Sequence, residues 1–125
     1  MNYRECKILQ CEPTDVPGCW YVLAEGALDM GPPLTAFTER VREAINEGAR
    51  WVIFDTRKIT SFLDLGHGAL VNLSDALQQA GGGAILLQLN ARERMIFQML
   101  KIESMFHFAE TMDEALAIAR GAAPR

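Results

Sequence analysis

Asp64 and His67 stand three residues apart in SFLDLGHGALV (Ser61–Val71), where an apolar strand ends, the chain turns at a glycine and a helix begins. A carboxylate beside an imidazole is one way to build a general base. The same residues also fit a purely architectural role. An aspartate at a helix start accepts orphan N–H groups and meets the positive end of the helix dipole, which leaves His67 facing solvent on the first turn. No serine or cysteine adjoins the pair to serve as nucleophile, Ser61 being the nearest hydroxyl upstream. A small hydrolase built on His67 and Asp64 is therefore the weaker reading.

Other residue groups invite chemistry less strongly. The glycines of GHG (Gly66–Gly68) and GGG (Gly81–Gly83) lack the lysine, hydroxyl and spacing of a phosphate-binding loop. Glycines at helix ends more commonly terminate the helix or allow close packing. Met95, Met99, Met105 and Met112 are expected to fill the core, although methionine also makes adaptable binding surfaces. His107 alternates with Phe106 and Phe108, so it is expected to face outward or complete a hydrogen bond. Asp55 lies near the end of an apolar strand, where α/β sheets place their sites. Cys6, Cys11 and Cys19 match no common zinc spacing and have no histidine nearby, so free, reduced thiols are expected. No cofactor, metal or catalytic residue is expected.

These residues must be positioned by a chain of 125 residues, which is read as one domain, 1–125. Half the residues are hydrophobic and 22% are charged, an ordinary balance for a globular protein. The net charge of −4 argues against nucleic acid or an anionic membrane surface as partner. No apolar run reaches the roughly 20 residues of a bilayer span. The N-terminus does not read as a secretory signal, so a cytoplasmic location without membrane insertion is expected.

Periodicity gives the elements. Strands are expected at Cys6–Glu12 and Cys19–Gly26, joined through PTDVPG as a hairpin. After a break at DMGPP, helical spacing runs through Leu34, Phe37, Val41, Ala44 and Ile45 and stops at Gly48. Arg50–Thr56 and Ala84–Leu89 read as buried strands, with Trp51, Ile53 or Phe54 and Leu86 in the core. Between them a helix starts at Gly68 and carries Ala69, Leu70, Leu73, Ala76, Leu77 and Ala80 on one stripe. Asn90 is expected to cap a helix with Met95, Ile96, Met99 and Leu100 on its apolar side. Phe106–Glu110 is a short strand, and Thr111 with Glu114 forms a capping box for the last helix. The order β-β-α-β-α-β-α-β-α predicts an α/β fold: one mainly parallel or mixed sheet of about five strands with about four helices and an N-terminal hairpin.

The stretch WVIFDTRKITSFLDLGHGALV (Trp51–Val71) resembles the central signature of STAS domains, the module shared by sulfate transporters and bacterial anti-sigma factor antagonists. Upstream, EGALDM is similar to the family's G-x-L-D after its second strand. Downstream, ALQQAGGGAILLQL through TMDEALA follows the family's order of helix, glycine turn, strand, helix, strand and T-x-x-E-A-L helix. The resemblance implies a non-catalytic protein-interaction module that acts as an anti-sigma factor antagonist, or anti-anti-sigma, in bacterial signalling and transcription regulation. In such switches the unphosphorylated form binds a partner, often an anti-sigma factor that is also a serine kinase. Phosphorylation in the D-S-S-G turn brings roughly −1.5 to −2 charges into the interface and releases that partner.

This chain departs from the pattern at that turn. Aligned without a gap from Val52, Leu63 takes the aspartate position, Asp64 the first serine and Leu65 the acceptor. Aligned on FLD, Asp64 keeps the aspartate position and Leu65 stands for a serine. Both alignments place Gly66 at the glycine and leave no hydroxyl at the acceptor. The expected partner-binding surface comprises Asp64, Leu65, Gly66, His67 and Gly68, with Asn72 and Asp75 on the following helix, and carries no phosphorylation site. The alternatives are a STAS component of a transport complex and a small-ligand module for a nucleotide or lipid. A homodimer stays open beside them.

Overall fold

The computed structural model describes the backbone of residues 5–122. Its core is a five-stranded sheet in the order β1-β2-β3-β4-β5. The strands are β1 (Lys7–Pro13), β2 (Cys19–Leu28), β3 (Trp51–Phe62), β4 (Gly83–Leu87) and β5 (His107–Ala109). β1 and β2 pair antiparallel as the expected hairpin, and every later pairing is parallel. The helices α1 (Gly31–Asn46), α2 (Asp64–Gln79), α3 (Ala91–Met99) and α4 (Met112–Ala117) alternate with the strands in the order read from the sequence.

Both faces of the central strands are buried, and the period of two sorts their side chains. Val22, Val52, Phe54, Ala84 and Leu86 face the larger core with the apolar stripes of α1 and α2. Cys19, Ile53, Ile85 and Leu87 face the opposite side, where Ala115 and Ala119 of the C-terminal helical segment cover them. Ile53, Phe54 and Leu86 are core residues as expected, while Trp51 is only half-buried and packs against the smaller cluster.

Several boundaries differ from the sequence reading, two of them beside the β2–α1 and β3–α2 junctions. α1 begins at Gly31, with prolines in its first turn, where the missing proline N–H costs nothing. DMGPP therefore starts the helix as well as breaking the strand. β3 runs six residues beyond Thr56. In that extension it pairs with β2 alone, Glu25 opposite Lys58 and Leu28 opposite Phe62, whereas β4 stops where Leu87 meets Asp55. α2 thus starts at the end of an extension of β2 and β3 that runs past the end of β4, with Lys7 opposite Glu25 and Glu5 bridged to Ala27 on its other edge.

Candidate docking site

The turn from β3 into α2 is held by a close backbone approach. Leu63 N–H donates to the Leu28 carbonyl at 3.0 Å. A Cβ on Gly66 would lie 2.0 Å from that same carbonyl oxygen. Real Cβ atoms do not approach an oxygen so closely, so glycine is required here for contact between helix and strand. The three glycines of Gly81–Gly83 likewise serve architecture. Gly81 adopts φ +99° at the end of α2, and a Cβ on Gly82 would fall 1.9 Å from the Arg50 carbonyl oxygen.

The helix begins one turn earlier than expected. Leu63 occupies the cap position and makes no side-chain cap hydrogen bond, which places Asp64 at the first helical residue. The expected capping role of Asp64 falls on a side chain outside the described residues.

His67 corrects the sequence reading most clearly. It does not face solvent but is buried at 6% exposure. Its ring stacks on Phe62 at 5.7 Å and meets Phe97 edge-on at 5.2 Å. Its Nε2 stands 3.8 Å from Oε1 of Glu93, itself buried in the first turn of α3. That separation is within ion-pair reach and beyond hydrogen-bond length. Neither ring nitrogen nor the Glu93 Oε1 atom has a hydrogen-bond partner among the described residues. A ring enclosed by two phenylalanines has no approach for a substrate, which removes the geometry a hydrolase needs.

The expected surface residues thus separate. Leu65 is 61% exposed, and Gly68, Asn72 and Asp75 are also exposed. Gly66 and His67 lie beneath them and shape the turn from below. Sequence reasoning missed two further apolar side chains at this end of the molecule: Leu63, 49% exposed, and Met30, 58% exposed, which precedes α1. The pairing of Leu28 with Phe62 brings the β2–α1 and β3–α2 junctions side by side. An exposed leucine at a helix start was visible in the sequence; its proximity to Met30 depends on strand register. Ser74, one of the two nearest serines, is fully buried and donates to the Met105 carbonyl at 2.5 Å. Ser61 is half-buried in β3, opposite Ala27.

On the other face of the sheet, Asp55 borders a cleft of about 500 Å³. Its Oδ2 accepts from the Tyr21 hydroxyl at 2.5 Å and meets Arg57 Nε at 3.1 Å. Its Oδ1 accepts the Arg57 backbone N–H at 3.2 Å. Desolvation, followed by the hydrogen bond and charge of Asp55, pushes the Tyr21 hydroxyl up to about 12. The three polar groups are engaged with one another, which locks β2 to β3 and leaves the buried carboxylate saturated. The cysteines are free. Burial raises the Cys6 thiol to about 11 and also raises Cys11 and Cys19, so none is poised as a thiolate nucleophile. His107 is exposed and rests against Trp51 at 5.1 Å, and its desolvation lowers its pKa.

At these places the buried carboxylate is saturated, the histidine is sealed in the core and the exposed turn is apolar. The family model of the STAS domain matches residues 25–115, and the chain belongs to that family. Solved structures agree in fold. The anti-sigma factor antagonist SpoIIAA in its unphosphorylated form superimposes with a TM-score of 0.75 at 20% identity, over 94% of this chain and 100% of that one. An anti-sigma factor antagonist from Mycobacterium paratuberculosis gives 0.74 at 16% identity, over 92% and 94% of the two chains. A sulfate transporter family protein from Wolinella succinogenes gives 0.67 at 18% identity, over 85% and 88%. No curated protein matches the chain by sequence. STAS domains are in general non-catalytic interaction modules, and no helix among the described residues is long and apolar enough to cross a membrane.

Proposed function

We propose that this protein is a non-catalytic anti-sigma factor antagonist-like regulator that docks a protein partner through the β3–α2 turn and cannot be released by phosphorylation there. One observation carries this reading. At the family's regulatory turn, Leu65 stands exposed at a serine position in both alignments, and neither alignment leaves a hydroxyl at the acceptor. An apolar side chain at that point favours a desolvated contact and offers no oxygen to a kinase.

The docking surface comprises Asp64, Leu65 and Gly68, with Asn72 and Asp75 along α2, while Gly66 and His67 hold the turn in place. An anti-sigma factor or a serine kinase is the partner class that this turn fits. A cytoplasmic location follows from that partner. A second reading, a STAS component of a transport assembly docked through the same helix, has the fold of the Wolinella protein in its support.

Capture of partners by the intact protein in its own cells separates the two. The regulatory reading expects a kinase-like or anti-sigma protein, and the turn peptide stays unmodified when that protein and ATP are supplied. Recovery of membrane transport subunits favours the second reading. Phosphate on Ser61 contradicts the loss of the switch.

A further inference from the structure

α3 is turned inside out relative to an ordinary surface helix. Its buried side chains are Glu93 and Phe97, while Met95 is 59% exposed, Met99 is 73% exposed and Leu100 behind it is 47% exposed. Arg92, Met95, Ile96 and Met99 follow one another at i, i+3, i+4 and i+7, so they form a single stripe, exposed at Arg92, Met95 and Met99 and half-buried at Ile96. A carboxylate lies inside and two methionines outside, the reverse of what burial favours for an isolated surface.

The exposed charges that flank this stripe outside an ion pair are cations. Arg92 and Lys101 are exposed and make no ion pair among the described residues. Arg94 is committed elsewhere, over the Phe108 ring at 3.7 Å and beside Glu103 at 3.7 Å. The one acidic residue of α3, Glu93, is buried. A basic, methionine-bearing strip thus stands out on a chain whose net charge is −4.

We propose that the outer face of α3 is a second docking surface, separate from the β3–α2 turn, for an acidic amphipathic helix of a protein partner. Flexible methionines seat apolar side chains of varied shape, and flanking cations attract carboxylates at the rim. A second copy of this chain fits poorly. An antiparallel pairing of two α3 helices brings Arg92 of one copy towards Lys101 of the other, with no free carboxylate between them. An anionic bilayer fits poorly as well. A nine-residue helix is only about 14 Å long, too short to bury much apolar surface, and the acidic remainder of the chain is repelled.

The test places a photo-crosslinking side chain on the stripe, Met99→p-benzoyl-phenylalanine, in the full chain expressed in its own cells. After illumination, the adducts are digested and mapped by mass spectrometry. The expected adduct lies in a segment of a different protein that has apolar residues at helical spacing flanked by Asp and Glu. Its yield falls severalfold when Arg92→Glu and Lys101→Glu are added, while the melting temperature stays unchanged. Any of four results overturns the proposal: adducts to peptides of this same chain, adducts to lipid, adducts to a segment without acidic residues, or a yield no higher than from the same label at exposed Gln79. A yield indifferent to the two charge reversals overturns it equally.

Discussion

α2 and α3 touch across His67 and Glu93, yet they distribute their residues in opposite ways. Beyond its first turn α2 buries Leu70, Leu73 and Leu77, with Ser74 bonded to the Met105 carbonyl among them, and turns Asn72 and Asp75 to solvent. α3 puts Glu93 against the histidine and leaves Met95 and Met99 outside. The difference lies in how each helix is anchored. α2 is anchored by its own packing and by the glycine that lets it approach Leu28, so its first turn can present Leu65 at a fixed position. α3 covers the larger core through one side chain, Phe97, and its remaining apolar surface is unspent.

The contrast breaks most readily at the anchor of α2. Gly66→Ala forces a Cβ into the Leu28 carbonyl, and helix or strand must move. Overpacking of this kind costs about 1–3 kcal/mol, and the backbone contact puts this site at the upper end. Chemical denaturation measures the loss, and a variant as stable as the parent would mean that α2 does not rest on Leu28. The next largest effect lies where the two helices meet. Glu93→Ala removes the buried carboxylate that stands within ion-pair reach of His67, at a cost of about 0.5–3 kcal/mol. Combined with His67→Ala in a double-mutant cycle, it should show a coupling of at least about 0.5 kcal/mol. Strict additivity would make the pair an accident of packing. The smallest effect belongs to the outer face of α3. Met95→Gln and Met99→Gln should each change stability by no more than about 0.5 kcal/mol, because neither side chain is enclosed. A loss of several kcal/mol in calorimetry would place these methionines in a core.

The same contrast explains how far the sequence could be read. All five strands and four helices were legible in order, because the buried runs VIF and AILL and the stripe of α2 carry a single dominant period. The caps of α3 and α4 were legible too: Asn90 accepts from Glu93 N–H at 2.8 Å and Thr111 from Glu114 N–H at 3.1 Å. α3 failed because its apolar residues fit two phases. Met95, Ile96 and Met99 define one and Phe97 the other, and three medium side chains outvoted one large ring. Packing decided for the ring, since Phe97 meets Phe62, His67 and Phe106. The burial of His67 had no local signal. It follows from the extension of β3 past the end of β4 and from α3 crossing over the start of α2, both of them long-range arrangements. The expected set Asp64–Gly68, Asn72 and Asp75 marked the β3–α2 turn and α2, but could not tell that Leu65 and Gly68 are exposed while Gly66 and His67 lie beneath them.

The central claim is that Leu65 makes the partner contact where related switches carry a hydroxyl. The most direct measurement is the affinity of the captured partner for Leu65→Asp, by titration calorimetry, beside the melting temperature of the variant. An aspartate in the first turn of α2 is compatible with the helix dipole, so the melt should not fall. Burying its charge in the interface should weaken binding by at least about tenfold, or about 1.4 kcal/mol. Unchanged affinity with an unchanged melt would contradict the account and move the docking surface away from this turn.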